Sequence, residues 1–215
     1  MAIENYIKLV DDRFNQSYLL DLLRDAKVKD YDQIAGGICR MLSVTWVVEC
    51  LKAGAGTPDV VLRQMKANGP VYFQQIARNQ QAYQNYFGDA ELGNFGSMRT
   101  VLQLASANTR DVLQATQSSE MAVSAAEMPT ALAYATGISS TTPHGTLISL
   151  RMTGGGHCIA AFEYQAVNGS TWYVFDPNYG VMQVDVSAGE NLGGLLTDIW
   201  NAYAGMSMAR AFPVA

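Results

Sequence analysis

Cysteine, basic side chains and long apolar runs are all scarce in this chain. Its 215 residues include only three cysteines, which cannot all pair and whose spacing matches neither a disulfide framework nor a CxxC metal motif. No apolar run reaches the roughly 18 residues that a membrane-spanning helix needs. The first residues also lack the basic and apolar regions of a signal peptide. We therefore expect a fold without disulfides, metal or membrane span.

The charge balance is mildly acidic. Lys and Arg total 14 against 19 Asp and Glu, and the basic residues form no stripe along the chain. Because nucleic acid is recognised first through its phosphates, this pattern argues against a nucleic-acid partner. The apolar share of 49% is that of an ordinary globular protein. The length suits one core, so we expect a single domain over residues 1–215.

The two parts of that domain differ in pattern. Residues 1–142 have mainly helical spacing of apolar side chains, and the segment from Gly37 to about Lys52 is apolar all round, which predicts a central buried helix. Residues 143–215 hold short β-rich runs separated by glycine and asparagine turns, followed by a helix at about 191–203 and a last strand. The fold class predicted is α+β, with a helical first half packed on a C-terminal antiparallel sheet.

Cys39 lies where the central helix should begin, directly after Gly36 and Gly37. A cysteine attacks as the thiolate, and the unpaired N–H groups and dipole at a helix N-terminus favour that negative charge. The glycines would let the chain turn sharply and leave the sulfur approachable. Cys39 is therefore the candidate nucleophile.

His157 and Asp176 are the candidate base and its orienting carboxylate. They lie on neighbouring strands of a hairpin predicted to turn at Asn168-Gly169, so the carboxylate should come alongside the imidazole. The pair can serve Cys39 if the strand face that carries His157 meets the N-terminus of the helix. Strand alternation points Cys158 to the opposite face, where it should be structural, and Cys50 should pack in the core.

Acyl transfer also needs donors for the oxyanion of a tetrahedral intermediate. Gln33 is the nearest side-chain amide upstream of Cys39, and the main-chain N–H of Cys39 would be its partner. We assign Gln33 this role as an expectation.

Three phrases of the sequence carry a family resemblance. Residues 37–43 with Trp46, residues 156–160, and the run Phe175-Asp176-Pro177-Asn178-Tyr179-Gly180 are similar to the YopT/AvrPphB family of bacterial effector cysteine proteases. The resemblance implies a papain-like fold and maps that family's catalytic cysteine, histidine and aspartate onto Cys39, His157 and Asp176. The spacing from Gln33 to Cys39 resembles that of the oxyanion glutamine in papain-like enzymes.

The resemblance further implies a biological setting. A protein of this family would be a virulence effector that a bacterium secretes into the host cell cytoplasm through a specialised apparatus. It would cleave a host protein or peptide without a cofactor, act as a monomer, and use a secretion chaperone.

Two other functions remain open at the level of sequence. The same three residues could serve a transglutaminase, deamidase or acyltransferase, since the outcome depends on whether water or an amine reaches the acyl-enzyme. A non-catalytic papain-like module that binds a host protein is the third possibility, and it would be favoured by a Cys39 out of reach of His157.

Overall fold

The structure is a computed structural model that describes residues 3–8, 13–25, 27, 31, 37–53, 58–87, 120–138, 144–166 and 169–214. Among these residues, helices fill most of the first part of the chain and a sheet most of the last, as the α+β prediction required. The helices are α1 (Gln16–Asp25), α2 (Cys39–Ala53), α3 (Pro58–Ala67), α4 (Gly69–Phe87), α5 (Met128–Ile138) and α6 (Leu192–Ala202). Short 3-10 turns occupy Ile3–Tyr6 and Ala125–Glu127.

All strands in the described residues belong to one antiparallel sheet. The strands are β1 (Glu120–Ala122), β2 (His144–Met152), β3 (Gly155–Ala166), β4 (Gly169–Asp176), β5 (Gly180–Asp185) and β6 (Met206–Val214). Their order is β1-β6-β2-β3-β4-β5, so the chain returns after α6 to insert its last strand between β1 and β2. The run from β2 to β5 is a meander of hairpins, which agrees with the turn signals in the sequence.

Helix α2 lies at the centre of the larger core. It contacts β2, β3 and β4 on one side and α3 and α4 on the other, which explains why its apolar residues have no preferred face. The Trp46 ring stacks on Phe175 of β4 with centroids 5.4 Å apart. Gly145 of β2 lies so close to Val47 that an added Cβ would overlap the valine side chain. The prediction of a central buried helix is confirmed.

Helices cover both faces of the sheet. The core on the α2 side includes Ala160, Phe162 and Phe175, whereas the opposite core includes Ile159 and Val174 together with residues of α5 and α6. The sequence pattern predicts a helical half set against a sheet half, but α5 and α6 close the second face. Of the described helices, none is long and apolar enough to cross a bilayer.

Candidate active site

Cys39 is the first residue of α2, as its sequence context predicted, and its side chain is half-buried. Gly37, two residues before Cys39, has φ of 126°, a backbone conformation that residues other than glycine rarely adopt. A Cβ at Gly37 would also come within 3.4 Å of the Gln16 amide oxygen. The glycine therefore allows both the turn into the helix and the close approach of Gln16.

Two glutamine side chains accept hydrogen bonds from main-chain N–H groups at the start of α2. The main-chain N–H of Ile38 donates to Gln16 Oε1 at 3.0 Å, and that of Met41 donates to Gln80 Oε1 at 3.1 Å. For the N–H of Cys39 no acceptor is found in the part of the chain that the structure describes. An N–H group left unpaired at a helix N-terminus is suited to bind an anion.

Strand β4 ends before it can cover the start of β3. Its pairing with β3 stops at Phe175 opposite Ala160, so Cys158 has β2 on one edge but α2 instead of β4 on the other. Ser43, one helical turn beyond Cys39, donates from its hydroxyl to the Cys158 carbonyl oxygen at 2.8 Å. The Cys158 N–H donates to the Cys39 sulfur. The end of β4 thus lets α2 bond directly to β3.

His157 and Asp176 meet on one face of the sheet. His157 Nε2 lies 2.8 Å from Asp176 Oδ1, and the two side chains are only 4% and 0% exposed. The carboxylate can only accept when ionised, so Nε2 carries the proton and Nδ1 is left to face Cys39. The imidazole and the Cys39 thiol are hydrogen-bonded.

The contact is made in a way that strand alternation did not predict. Helix α2 packs on the face that carries Ala160 and Phe162. Alternation along β3 puts His157 on the other face, together with Ile159. His157 therefore reaches Cys39 around the end of the sheet, where β4 has stopped, rather than directly across a shared face. Cys158 does point away from the His157 face, as expected.

Cys39 and His157 stabilise each other's charged forms. Burial would raise the pKa of the Cys39 thiol, but the charge and hydrogen bond of His157 and the Cys158 N–H outweigh it and place this pKa below its ordinary value. Burial also disfavours the charged form of His157 and by itself would lower its pKa. The charges of Cys39 and Asp176 outweigh this effect and raise the pKa of His157 to about 10. Both shifts favour a thiolate beside an imidazolium over a neutral thiol beside a neutral imidazole.

Arg40 adds a positive charge to this region. The side chain is 1% exposed, its guanidinium lies 4.7 Å from the centre of the Tyr83 ring, and one of its nitrogens donates to the Tyr83 hydroxyl. A buried cation in the first turn of a helix opposes the helix dipole, so this placement is unfavourable for the helix alone. Its charge favours the Cys39 thiolate.

Asp176 accepts from two further groups that the sequence did not indicate. Tyr203, directly after α6, donates from its hydroxyl to Asp176 Oδ2 at 2.7 Å, and the main-chain N–H of Asn178 donates to Oδ1 at 2.9 Å. The Tyr203 ring also lies against the His157 ring, with centroids 4.9 Å apart. A tyrosine after an amphipathic helix carries no motif, so only the fold could place it here.

Of the other residues named from the sequence, Cys50 and Cys158 are buried, and Gln33 is not among the described residues. Cys50 is fully buried in the α2 core, and burial raises its pKa well above the ordinary value. Cys158 is equally enclosed, and burial raises its pKa to about 12. Within the described ranges no cluster of three or more His, Cys, Asp or Glu side chains could hold a metal ion.

Fold and site together define a class of protein. A half-buried cysteine at the N-terminus of a central helix faces a histidine and an aspartate on an antiparallel sheet, which is the arrangement of a papain-like cysteine peptidase. The sequence profile of the peptidase family C58, described as "Yersinia/Haemophilus virulence surface antigen", matches residues 6–211. The chain belongs to this family of cysteine peptidases.

A solved structure supports the fold. The chain is similar to the Pseudomonas avirulence protein AvrPphB, with a TM-score of 0.58 and 20% sequence identity over 86% of this chain and 94% of that chain. The predicted papain-like α+β fold and the predicted family are confirmed by these comparisons. Among curated protein sequences none matches this chain.

Proposed function

We propose that Cys39, His157 and Asp176 form the catalytic triad of this peptidase. The observation that carries the proposal is the continuous contact from the Cys39 thiol through the His157 imidazole to the buried Asp176 carboxylate, 2.8 Å from the ring. The contact also argues against a purely binding module, which would not need a thiolate beside an imidazolium.

The mechanism follows from the charges. The Cys39 thiolate attacks the peptide carbonyl carbon, and the carbonyl electron pair moves to oxygen. The Cys39 N–H, which is unpaired in the described part of the chain, donates to this oxyanion, and we assign Gln33 as the second donor. When the C–N bond breaks, the His157 imidazolium protonates the leaving amine, which leaves a thioester on Cys39.

Water completes the cycle. Neutral His157 takes a proton from water as the oxygen attacks the thioester, and collapse of the second tetrahedral intermediate releases the acid and the Cys39 thiolate. Asp176 keeps the ring oriented and stabilises the imidazolium without taking its proton. The whole reaction requires no cofactor.

The biological role is proposed from the family. We assign the chain as one domain that works as a monomeric virulence effector, is secreted with the help of a chaperone through a specialised apparatus, and cleaves a protein in the host cytoplasm. Membership of a family described by virulence antigens supports this role.

The test compares the only two histidines of the chain. Wild-type protein, Cys39→Ala, His157→Gln and the matched control His144→Gln are incubated with a host-cell lysate, and new protein N-termini are mapped by mass spectrometry. We expect the wild type and His144→Gln to create the same new N-termini and the other two variants to create none. Cleavage that survives in Cys39→Ala would overturn the assignment. Deamidated or amine-linked glutamine in place of new N-termini would establish the transferase alternative.

A further inference from the structure

A series of hydrogen bonds connects the start of α2 to the carboxylate of Asp176. The Ile38 N–H donates to Gln16 Oε1 at 3.0 Å, and Gln16 Nε2 donates to Asn178 Oδ1 at 2.8 Å. Asn178 Nδ2 then donates to the Tyr203 hydroxyl at 3.1 Å, and that hydroxyl donates to Asp176 Oδ2 at 2.7 Å. We call Gln16, Asn178 and Tyr203 the polar bridge.

The two ends of the polar bridge fix the orientation of every group in it. The Ile38 N–H can only donate, and an ionised carboxylate can only accept. Gln16 must therefore turn its oxygen to Ile38 and its nitrogen to Asn178. Asn178 must then accept from Gln16 and donate to Tyr203, which leaves the tyrosine proton for Asp176. Flipping either amide would break two bonds, so one arrangement is strongly favoured.

The polar bridge joins three segments that are distant in sequence. Gln16 begins α1, Asn178 lies in the turn between β4 and β5, and Tyr203 follows α6. The two ends of the bridge are buried, with Gln16 8% exposed and Asp176 fully buried, whereas Asn178 and Tyr203 are half-buried. Hydrogen bonds to a buried charge are stronger than those in bulk water. The bridge therefore couples the helix that bears the nucleophile to the turn that bears the carboxylate.

Tyr203 is the member that holds both Asp176 and His157. Its hydroxyl occupies Asp176 Oδ2 while His157 Nε2 occupies Oδ1, so the carboxylate cannot rotate without losing a bond. Its ring packs against the imidazole at 4.9 Å between centroids. The tyrosine thus restrains the direction of the carboxylate and limits access of water to the His157–Asp176 bond.

We propose that the polar bridge sets the geometry of the active centre, and that Tyr203 is the positioning residue through which it holds Asp176. This inference rests on the proposed triad of Cys39, His157 and Asp176. The bridge acts on the nucleophile from two directions, through the first turn of α2 and through the orientation of His157.

Tyr203→Phe isolates the hydroxyl, because the ring against His157 is retained. Losing this hydrogen bond to a charged group should slow alkylation of Cys39 at neutral pH by about 10-fold. Without the hydroxyl the Asp176 carboxylate is free to turn away from His157, which weakens the imidazolium and with it the Cys39 thiolate that the imidazolium stabilises. The acid limb of the pH–rate profile therefore moves upward.

Other titratable groups surround this carboxylate and bear on the profile. Those that act electrostatically with Asp176 come from β3, from the turn after β4 and from the segment after α6: His157, Cys158, Tyr179 and Tyr203. All four remain in Gln16→Met, so a shift shared by Gln16→Met and Tyr203→Phe reports on the bridge rather than on loss of a titrating group.

The experiment measures the rate of Cys39 alkylation by iodoacetamide across pH for the full chain. Tyr203→Phe and Gln16→Met are made singly and together, with Tyr18→Phe as the matched control, since Tyr18 is 68% exposed. We expect both single variants to slow alkylation and to raise its acid limb. The double variant should lose about as much as the slower single variant, because both changes break one bridge.

Three results would overturn the proposal. The first is an alkylation rate in Tyr203→Phe equal to that in Tyr18→Phe, and the second is an acid limb that stays at the wild-type pH. The third is a double variant whose rate loss is the product of the two single losses, which would make Tyr203 and Gln16 independent structural residues. Alkylation does not depend on peptide cleavage. The proposal of the polar bridge can therefore be refuted while the peptidase assignment stands, and the peptidase assignment can be refuted while the bridge stands.

Discussion

Replacing Asp176 by asparagine tests the charge that orients His157. The change keeps the shape of the side chain but removes the negative charge that accepts from His157 Nε2 at 2.8 Å inside a fully buried site. A hydrogen bond to a charged group contributes about 1.5–3 kcal/mol. At ~1.36 kcal/mol per pKa unit, its loss lowers the pKa of His157 by about 1–2 pH units.

The consequence for Cys39 has a definite sign. The thiolate is stabilised by the imidazolium, so a His157 that loses its proton more readily leaves Cys39 as a neutral thiol over more of the pH range. Alkylation of Cys39 in Asp176→Asn should therefore slow most in the acid-to-neutral range, and it should approach the wild-type rate at alkaline pH, where both proteins hold the thiolate. The wild type should retain its imidazolium until the pH nears about 10.

Two assays check this prediction. Imidazole NMR signals followed against pH give the pKa of His157, and His144→Gln assigns them because the chain has only two histidines. Iodoacetamide kinetics give the thiolate population. Asp21→Asn is the matched control, since Asp21 pairs with Arg24 on the exposed side of α1 and should leave both measurements unchanged. An unaltered pKa of His157 in Asp176→Asn would refute the reasoning.

Three further predictions concern the reactivity of the cysteines, the hydrogen bond of Gln16 and the packing at Gly145. At pH 6, iodoacetamide should modify one cysteine, Cys39, because burial raises the pKa of the other two thiols; a second adduct in intact-mass spectra would contradict this. Gln16→Leu should lower the free energy of unfolding in urea by ~1–3 kcal/mol, since it leaves a buried N–H unpaired, whereas exposed Gln75→Leu should change it little. Gly145→Ala should cost ~1–3 kcal/mol by overpacking, and Gly155→Ala, with open space around it, should not; equal effects would disprove the packing argument.

Several features of the fold could be predicted because their causes are local. The glycines before Cys39 and the apolar run after it define a helix start within a few residues of sequence. Likewise, hairpin signals between His157 and Asp176 predict neighbouring strands, and β3 and β4 do pair, which brings these two residues together although they are 19 positions apart. Both predictions depend on backbone preferences that a short window contains.

Other features depend on which faces meet, and sequence patterns did not contain that information. Alternation separated His157 from Cys158 correctly, but it could not tell that β4 would stop at Asp176 and let His157 reach Cys39 around the sheet end. Polar side chains such as Gln16 and Tyr203 carry no motif. Their partners lie 22, 162 or 27 residues away.

The sequence by itself determined the groups proposed for the triad, their order, and the helix start and hairpin on which they lie, because each of these depends on short-range backbone and side-chain preferences. Only the tertiary structure decided that Asp176 is held by Tyr203 and that the Cys39 helix is tied to Gln16. Such contacts form when distant segments are brought together by packing of the whole core, and a buried donor or acceptor then takes whichever partner the fold places within reach.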